Sequence, residues 1–542
     1  MCERLKLGLA CVWGVWSCVV FLVQGIGIFQ LFRHYSKPPR RAAVEAFADH
    51  AAVPPVTVIR PCKGLEPGLY DCLASTCRQT YPRDRLSVRL CVESRADPAF
   101  PVLQRIVTDF AAQLSVRIYV EQEDPLLHGA TGHVRNLGPN PKIRNMSHAY
   151  RDVPDTKDAV IWIVDCNVWV APGVAGRMVD KLFGFRAAGG TAGDTARDVP
   201  YKFVHQLPLV VDLGTSAHAS GAALDEMFMA TTHAKFYSAI NTVGIAPCIV
   251  GKSNMFRKAH LDAFTDPAQN PLVLTAKDAQ RGRGVDFFSS YICEDHLIGD
   301  LLWRSPLAGY RHHGLVAGDL AIQPMAPDVT VRAYAARRVR WLRVRKWTVL
   351  LATLVEPGVE SLLCAAFGAF SLTTLADHLP LPAWSRTWLI QDTWISMLRC
   401  WLVLVGLWMA ADWCTYRRLQ ACPSIQVDDD PASSTTTTPI FVRGRGTKTG
   451  LPPRRFFFSW LRAWVGREVL ALPIWTYAVL LGATVTWRGK QFHVRMDMSV
   501  VELDGEDPQG RAPTSIDGAD TLTAEPANRR SGSRGNRKAR VE

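Results

Sequence analysis

Charged residues are scarce in this chain of 542 residues, at 20% of the sequence against 48% for the apolar set. Its 14 cysteines form no C-x-x-C pair and no spacing typical of metal ligands, which favours buried free thiols over a zinc site or a disulfide framework. No nucleic-acid-binding module is recognisable along the chain. Because the net charge is nevertheless +13, we expect a phosphorylated substrate or an anionic lipid surface as partner, and no nucleic acid.

The chain opens on an apolar run. Residues 7–32 are almost uncharged and are long enough to cross about 30 Å of hydrocarbon as a helix. The run is longer than the apolar part of a signal peptide and bulky residues follow it, so residues 1–33 are predicted to form an uncleaved anchor. Four lysines or arginines follow within residues 33–41 and only two precede the run, which places the rest of the chain in the cytosol.

The central part reads as an α/β domain. After a linker at 34–53, short β-rich runs alternate with amphipathic helical stretches over residues 54–346. This alternation predicts a mostly parallel sheet with helices on both faces, which binds ligands at the carboxyl ends of its strands. The first four predicted strands lie at 56–59, 87–92, 116–120 and 159–164.

Beyond the domain, residues 347–490 are predicted to form a C-terminal membrane region, which makes the protein multi-pass. Its polar, low-complexity stretch at about 414–460 is expected to be a flexible loop, and residues 491–542 a mostly disordered tail. The three apolar runs behind this prediction lie at 357–376, 395–412 and 469–487, each weakened by a charged residue within it or beside it.

Two acidic positions follow predicted strands. Asp97 comes after the second strand, where it could accept hydrogen bonds from a nucleotide, or merely cap a helix that begins at Pro98. Asp165 ends the apolar strand 161–164, where its hard oxygens suit a divalent cation on a diphosphate. A plain turn residue at the end of a strand is the alternative.

Two later features suit acid–base chemistry and anion binding. Glu294 and Asp295 open a predicted helix, where a carboxylate could act as general base or serve only the helix dipole. Arg337, Arg340 and Trp341 lie at i, i+3 and i+4, so they share one helix face that could stabilise a departing diphosphate. Seven basic residues fall between 332 and 346, which is equally typical of a helix at a membrane surface.

In this order along one α/β domain, the four features resemble those of the ceramide glucosyltransferases, and in particular a fungal-type member of that family. These enzymes have the Rossmann-like GT-A fold. The resemblance covers most of residues 55–345 and parts of the C-terminal region. Further segments that resemble family motifs are R-P-C-K-G at 60–64, N-P-K-I-R-N at 140–145, V-H-Q-L-P at 204–208, the G-K-S segment at 251–253, W-V-G-R-E at 464–468 and W-R-G at 487–489.

The resemblance implies a role for each site residue. It implies that Asp97 binds the nucleotide, that Asp165 binds the diphosphate through Mg²⁺ or Mn²⁺, and that Asp295 is the general base. It further implies that Arg337, Arg340 and Trp341 complete the donor and acceptor site. Lys142, His205 and Glu294 would contact the substrate. Two departures stand out. The D-C-N sequence at 165–167 lacks the second aspartate of a D-x-D pair, and Ser94 stands where relatives often carry an acid.

The implied reaction is transfer of glucose from UDP-glucose to the primary hydroxyl of ceramide, with inversion. The implied location is the cytosolic face of the Golgi or endoplasmic reticulum membrane, with membrane lipids around the site and the oligomeric state open. A processive polysaccharide synthase of the same fold is the first alternative, although such enzymes carry Q-x-x-R-W and need a membrane pore. A non-catalytic, lipid-binding membrane scaffold is the second, and the retained acids argue against it.

Overall fold

The computed structural model describes residues 2–129, 137–186, 197–214, 220–270, 282–380, 390–425, 438–443 and 454–503. Its strands are β1 (Val56–Pro61), β2 (Leu86–Val92), β3 (Ser115–Val120), β4 (Val160–Val164), β5 (Tyr201–Asp212), β6 (Ser253–Arg257), β7 (Arg311–Met325), β8 (Thr484–Trp487), β9 (Lys490–Val494) and β10 (Val500–Leu503). Its α-helices are α1 (Cys2–His34), α2 (Leu69–Cys77), α3 (Phe100–Phe110), α4 (Pro125–His128), α5 (Pro141–Arg151), α6 (Val174–Phe183), α7 (Gly221–Phe228), α8 (Ala234–Val243), α9 (Lys258–Phe264), α10 (Glu294–Arg304), α11 (Val331–Arg345), α12 (Leu350–Val355), α13 (Ser361–Thr374), α14 (Trp394–Gln420) and α15 (Phe457–Leu480).

Seven strands form one sheet in the order β3-β2-β1-β4-β6-β5-β7. The first four pair in parallel, β6 runs antiparallel between β4 and β5, and β5 pairs in parallel with β7. The prediction of a mostly parallel sheet is confirmed, and the four strands predicted from the sequence coincide with β1 to β4. The parallel strands therefore share one carboxyl edge, where the loops after β1, β2 and β4 meet.

Helices cover both faces of this sheet, because successive strand residues point to opposite sides. In β1, Val58 belongs to one apolar cluster and Ile59 to another, and in β4 Trp162 and Ile161 divide in the same way. The first cluster includes side chains of α2, α3 and α6, and the second those of α5, α9 and α10. Every residue of β1 and β4 is buried, as parallel strands covered on both faces require.

Two helices within the described residues are long and apolar enough to cross a membrane, namely α1 and α14. A third span results if the bent pair Leu350–Val359 and Ser361–Thr374, which meet at 71°, counts as one. The predicted run at 469–487 is not one span, because α15 ends at Leu480 and β8 begins at Thr484. Apolar composition marked this stretch, but the helix-to-strand change divides it.

The C-terminal boundaries also differ from the prediction. The predicted flexible loop begins inside α14, which continues to Gln420, and most of its middle lies outside the described residues. The predicted tail begins at residue 491, yet β8, β9 and β10 form an antiparallel sheet that extends to Leu503. Residues 504–542 lie outside the described part of the chain.

The apolar helices meet the α/β domain around a buried ion pair. The Nζ of Lys235, which is fully buried on α8, lies 2.5 Å from Oδ1 of Asp412 on α14. Trp464 of α15 donates a hydrogen bond of 2.9 Å to the other carboxylate oxygen of Asp412. On α1, a Cβ at Gly27 would lie 2.1 Å from the carbonyl oxygen of Lys235, so only glycine permits this approach. Four helices therefore converge on Lys235.

A second buried cluster of charged side chains joins the end of β5, α7 and the segment before α15. The guanidinium of Arg455, just before α15, bonds the carboxylates of Asp212 at the end of β5 and Glu226 on α7, with 2.7 Å to Glu226. Tyr416 of α14 donates to Glu226 over 3.2 Å. All three charged side chains are almost fully buried, so the cation offsets two carboxylates that have no access to water.

We expect Arg455→Met to lower the free energy of unfolding by about 3–5 kcal/mol, because it leaves two buried carboxylates without their cation. The measurement is the unfolding midpoint of the full chain in detergent. The matched control is Arg186→Met, whose ion pair with Asp198 is exposed and contributes at most about 1 kcal/mol. Equal midpoints for the two variants would contradict the assignment of Arg455.

Candidate active site

Four charged side chains meet at the carboxyl end of β4. The Nζ of Lys142 lies 3.0 Å from Oδ1 of Asp165 and 3.0 Å from Oε1 of Glu294. The Nζ of Lys252 donates to the other oxygen of Asp165 over 2.8 Å. The fold thereby brings together residues that lie far apart in the sequence, on α5, after β4, before β6 and at the start of α10.

The N-P-K segment explains how Lys142 reaches this point. Asn140 caps α5, because its Oδ1 accepts from the backbone N–H of Lys142 (2.8 Å) and Ile143 (3.1 Å), and Pro141 occupies the first helical position. The Nδ2 of Asn140 donates to Oε2 of Glu294 over 2.9 Å. One asparagine therefore fixes both the helix start that carries Lys142 and the carboxylate that Lys142 binds.

The charges in this network stabilise one another. Burial alone would lower the pKa of Lys142, but Asp165 and Glu294 outweigh it and hold that pKa above its ordinary value. Burial would likewise raise the pKa of Asp165, but Lys142 and Lys252 hold it well below the usual range. For Glu294, burial and the neighbouring Asp295 prevail over Lys142, so its pKa is raised. Asp165 is thus firmly anionic beside two cations.

Asp295 lies next to Glu294 in the first turn of α10, against the backbone of Gly251. A Cβ at Gly251 would lie 2.3 Å from Oδ2 of Asp295 and 2.7 Å from its Cγ, so glycine leaves the space that the carboxylate occupies. Within the described residues, no side chain or backbone group donates a hydrogen bond to this carboxylate. Among the acids of this cluster in the described residues, Asp295 is therefore the one whose oxygens accept no hydrogen bond.

Asp97 connects the loops that follow β1 and β2. Its Oδ1 accepts from the backbone N–H of Gly64 and of Ala99, each at 2.8 Å. Beside it, Lys63 and Glu93 pair at 2.6 Å. Asp97 thus closes a turn with Ala99 but does not cap a helix that begins at Pro98, because α3 begins at Phe100 with Ala99 at the N-cap position. The bond to Gly64 adds a contact between the two loops at the carboxyl edge. Nucleotide binding by Asp97 stays a prediction.

The basic helix α11 presents the R-x-x-R-W residues. Arg337 lies 3.4 Å from the buried Asp225 and donates to Gln323 over 3.1 Å, and its guanidinium stacks 5.0 Å from the ring centroid of Trp341. Burial, with repulsion from Arg337, lowers the pKa of Arg340 to about 10. The shared face predicted from the i, i+4 spacing is present between Arg337 and Trp341.

Two other arginines of α11 limit the membrane-surface interpretation. Arg338 is buried over the ring of Phe228, 3.7 Å from its centroid. Arg343 is also buried and donates to the backbone carbonyl of Thr484 over 2.6 Å. These two cations bind within the protein, so they do not contribute to a basic surface for lipids.

His205 lies in the interior of β5. Its Nδ1 is 2.5 Å from Oη of Tyr237, and burial lowers its pKa well below the ordinary value, so the ring is neutral. In the part of the chain that the structure describes, His205 makes no hydrogen bond to Lys142, Asp165 or Glu294. Its assignment as a donor-site contact stays a prediction.

The oxygens available for a divalent cation come from the D-C-N segment. The described residues contain no group of three His, Cys, Asp or Glu side chains that could hold a metal ion. However, the buried Oδ1 of Asn167 has no hydrogen-bond partner among them, and the Asp165 carboxylate stands two residues before it. Mg²⁺ commonly takes one or two protein ligands and completes its shell with substrate phosphates and water. These residues therefore fit a cation that is shared with a diphosphate.

Sequence reasoning missed three contributors to the site, namely Asn140, Gly251 and Lys252. All three belong to segments that resemble family motifs, at 140–145 and 251–253, which was the available signal. Lys252 reaches Asp165 because β6 runs antiparallel to β4, in a register that pairs Val164 with Ser253. That pairing has no local signature in the sequence.

Comparisons with known proteins identify the family of this chain. The model of glycosyl transferase family 21 matches residues 19–265 and 272–500. A ceramide glucosyltransferase of Pyricularia oryzae is 56% identical over 92% of this chain and 95% of its own length, and one of Gibberella zeae is 44% identical over 92% and 94%. A mannosyltransferase from Pyrobaculum calidifontis, solved with GDP-Man and Mn²⁺, aligns over 74% of this chain and 98% of its own, at 17% identity and a TM-score of 0.35. This likeness is too weak to assign the ligands of that enzyme to this chain. The chain belongs to glycosyl transferase family 21.

Proposed function

We propose that this chain transfers glucose from UDP-glucose to the primary hydroxyl of ceramide, with inversion at the anomeric carbon. The observation that carries the proposal is Asp295, a carboxylate free of hydrogen bonds in the described structure, beside the Lys142–Asp165–Glu294 network. This cluster lies at the carboxyl edge of the sheet, in a chain 56% identical to a ceramide glucosyltransferase. A free base next to an ordered charged pocket suits transfer of a group from a charged donor to a neutral hydroxyl.

The reaction is a single displacement. Asp295 takes the proton of the ceramide hydroxyl while its oxygen attacks C1 of the glucose, and the bond from C1 to the UDP oxygen breaks. Glu294 does not compete as base, because Lys142 and Asn140 occupy both of its oxygens. Attack opposite the leaving group converts an α-linked donor into a β-linked product.

The negative charge that develops on UDP is offset by cations of this chain. Arg337 and Arg340 lie on the face of α11 that carries Trp341, and electrostatic stabilisation of this kind is usually the largest catalytic contribution. Asp165 and Asn167 would hold Mg²⁺ or Mn²⁺, which when bound neutralises charge on the diphosphate. Lys142 and Lys252 keep Asp165 ionised for that role.

The remaining assignments complete the pocket. Asp97 contacts the nucleotide, His205 and Lys142 contact the donor, and Trp341 packs on the sugar or the acceptor. The anchor helix α1 and the C-terminal helices hold the site at the lipid surface, where ceramide resides. We propose more than two membrane crossings, a Golgi or endoplasmic reticulum membrane, and a catalytic domain on the cytosolic side.

The test is transfer of labelled glucose from UDP-glucose to ceramide in membranes that contain the full chain. We expect glucosylceramide that depends on a divalent cation and is abolished by a chelator. Asp295→Asn should lower the rate by about 10²–10⁴-fold, because it removes the base. Asp300→Asn is the matched control on the same helix. Within the described residues Asp300 forms an ion pair only with Arg304, so this variant should retain the activity.

Other products decide between the alternatives. Label in a lipid-free polymer would contradict the ceramide acceptor and support a processive synthase. Absence of transfer from UDP-glucose and other sugar nucleotides, in folded protein, would support the non-catalytic scaffold.

A second variant tests the position of the base without removing it. Gly251→Ala adds a Cβ where Oδ2 of Asp295 now lies, so the carboxylate must move. A displacement of about 1 Å costs roughly 10²-fold in rate, and we expect this loss in kcat, with the KM for UDP-glucose little changed. Gly25→Ala is the control, because a Cβ there meets no atom within 4 Å. Wild-type kcat in Gly251→Ala would contradict the role of Asp295.

A further inference from the structure

A tight turn joins β8 to β9 in the C-terminal sheet. Trp487 pairs with Lys490, and the two residues between them, Arg488 and Gly489, have φ of 52° and 82°. Two-residue hairpin turns with positive φ at both positions strongly prefer Asn-Gly, because a β-carbon is strained there. An arginine held in this conformation points to a function of its side chain rather than to the stability of the turn.

The hairpin is fixed against the active site from two sides. Val500 of β10 donates a backbone hydrogen bond of 2.8 Å to Ser290, a few residues before Glu294 and Asp295. Thr484 at the start of β8 accepts from Arg343 of α11 over 2.6 Å. Apolar side chains from all three strands, together with Ile292, Cys293 and Val344, form one buried cluster. The hairpin is therefore held between the loop that precedes α10, the helix of the base, and the helix that carries Arg340.

The side chain of Arg488 lies within electrostatic range of Glu93, at the carboxyl edge of the sheet, and of Arg340 on α11. It is half-buried and lies 5.3 Å from the ring centroid of Trp487. The pKa of the Glu93 carboxyl, after β2, is lowered first by a hydrogen bond from Lys63, and Arg488 is close enough to lower it further. Burial and Arg337 lower the pKa of the Arg340 guanidinium, and Arg488 is also close enough to contribute to this lowering. Arg488 therefore lies near residues from two sides of the site.

Neither Arg340 nor Arg488 has an acid or hydrogen-bond partner in the described residues, although other half-buried and buried arginines do. Arg455, for example, bonds two carboxylates. Two guanidiniums held near one another without a counter-ion repel, and an anion between them removes that repulsion. A diphosphate, with charges on both phosphates, is the anion that two neighbouring guanidiniums suit best.

We propose that Arg488 binds the diphosphate of the nucleotide donor and that the C-terminal hairpin thereby completes the donor site opposite Arg340. The proposal rests on the proposed function for the identity of the donor. It makes the donor site a composite of the α/β domain and a sheet that lies more than 130 residues beyond α11 in the sequence. Binding of UDP, which carries the diphosphate, should depend on Arg488, and binding of uridine should not.

The test is titration of purified full-length protein with UDP and with uridine. Arg488→Asn removes the guanidinium without destabilising the turn, because asparagine suits the turn better than arginine. We therefore expect an unfolding temperature equal to or above that of the wild type. We expect UDP affinity to fall at least about tenfold, and Arg488→Lys to recover part of it as a point charge. Arg495→Asn, an exposed change of the same charge in the turn between β9 and β10, should leave affinity unchanged.

Each outcome decides one claim. Wild-type UDP affinity in Arg488→Asn would overturn the role of Arg488 and leave the proposed function intact. Selective binding of another nucleoside diphosphate would contradict the proposed donor, and the same variants then test Arg488 with that nucleotide. A wild-type chain that binds no nucleoside diphosphate would overturn both.

Discussion

The ammonium group of Lys142 lies 3.0 Å from the partly buried carboxylate of Asp165 and 3.0 Å from the buried carboxylate of Glu294, and the rest of the site depends on this interaction. Buried charges are tolerated only when they are paired and hydrogen-bonded, so Asp165, Glu294 and Lys142 require one another. The pairing also joins three elements: the start of α5, the end of β4 and the start of α10. Asp295 follows Glu294 directly, so its position against Gly251 is a consequence of the same pairing.

The helices that can cross a membrane are joined to the α/β domain by buried ion pairs. Lys235 and Asp412 form a fully buried pair between α8 and α14, and Arg455 joins β5 and α7 at the foot of α15. The carboxyl edge of the sheet therefore has a fixed position relative to the helices that can cross a membrane. Under the proposed function, this fixed position would hold the site near the membrane in which a lipid acceptor resides.

The sequence was sufficient for features with a local signature. The four runs of β-rich residues predicted β1 to β4, and the abrupt change from an apolar strand to Asp165 predicted a carboxylate at the sheet edge. The i, i+4 spacing predicted the contact between Arg337 and Trp341. The hairpin after α15 could not be predicted, because β8 continues the apolar stretch of α15 and the run at 469–487 therefore resembles one membrane span, whereas most of β9 falls in the predicted tail. Lys252 was missed because only the antiparallel register of β6 brings it to Asp165.

The most direct test of the central claim is the affinity of the purified chain for UDP-glucose, measured by calorimetry, when Lys142 is replaced by methionine. Lys258→Met is the matched control, since Lys258 is a buried lysine that pairs with two acids, Asp155 and Asp262, outside the site. If the network around Lys142 forms the donor pocket, Lys142→Met binds UDP-glucose at least about tenfold more weakly while the control binds as the wild type does. Unchanged affinity in a folded Lys142→Met variant would contradict the account.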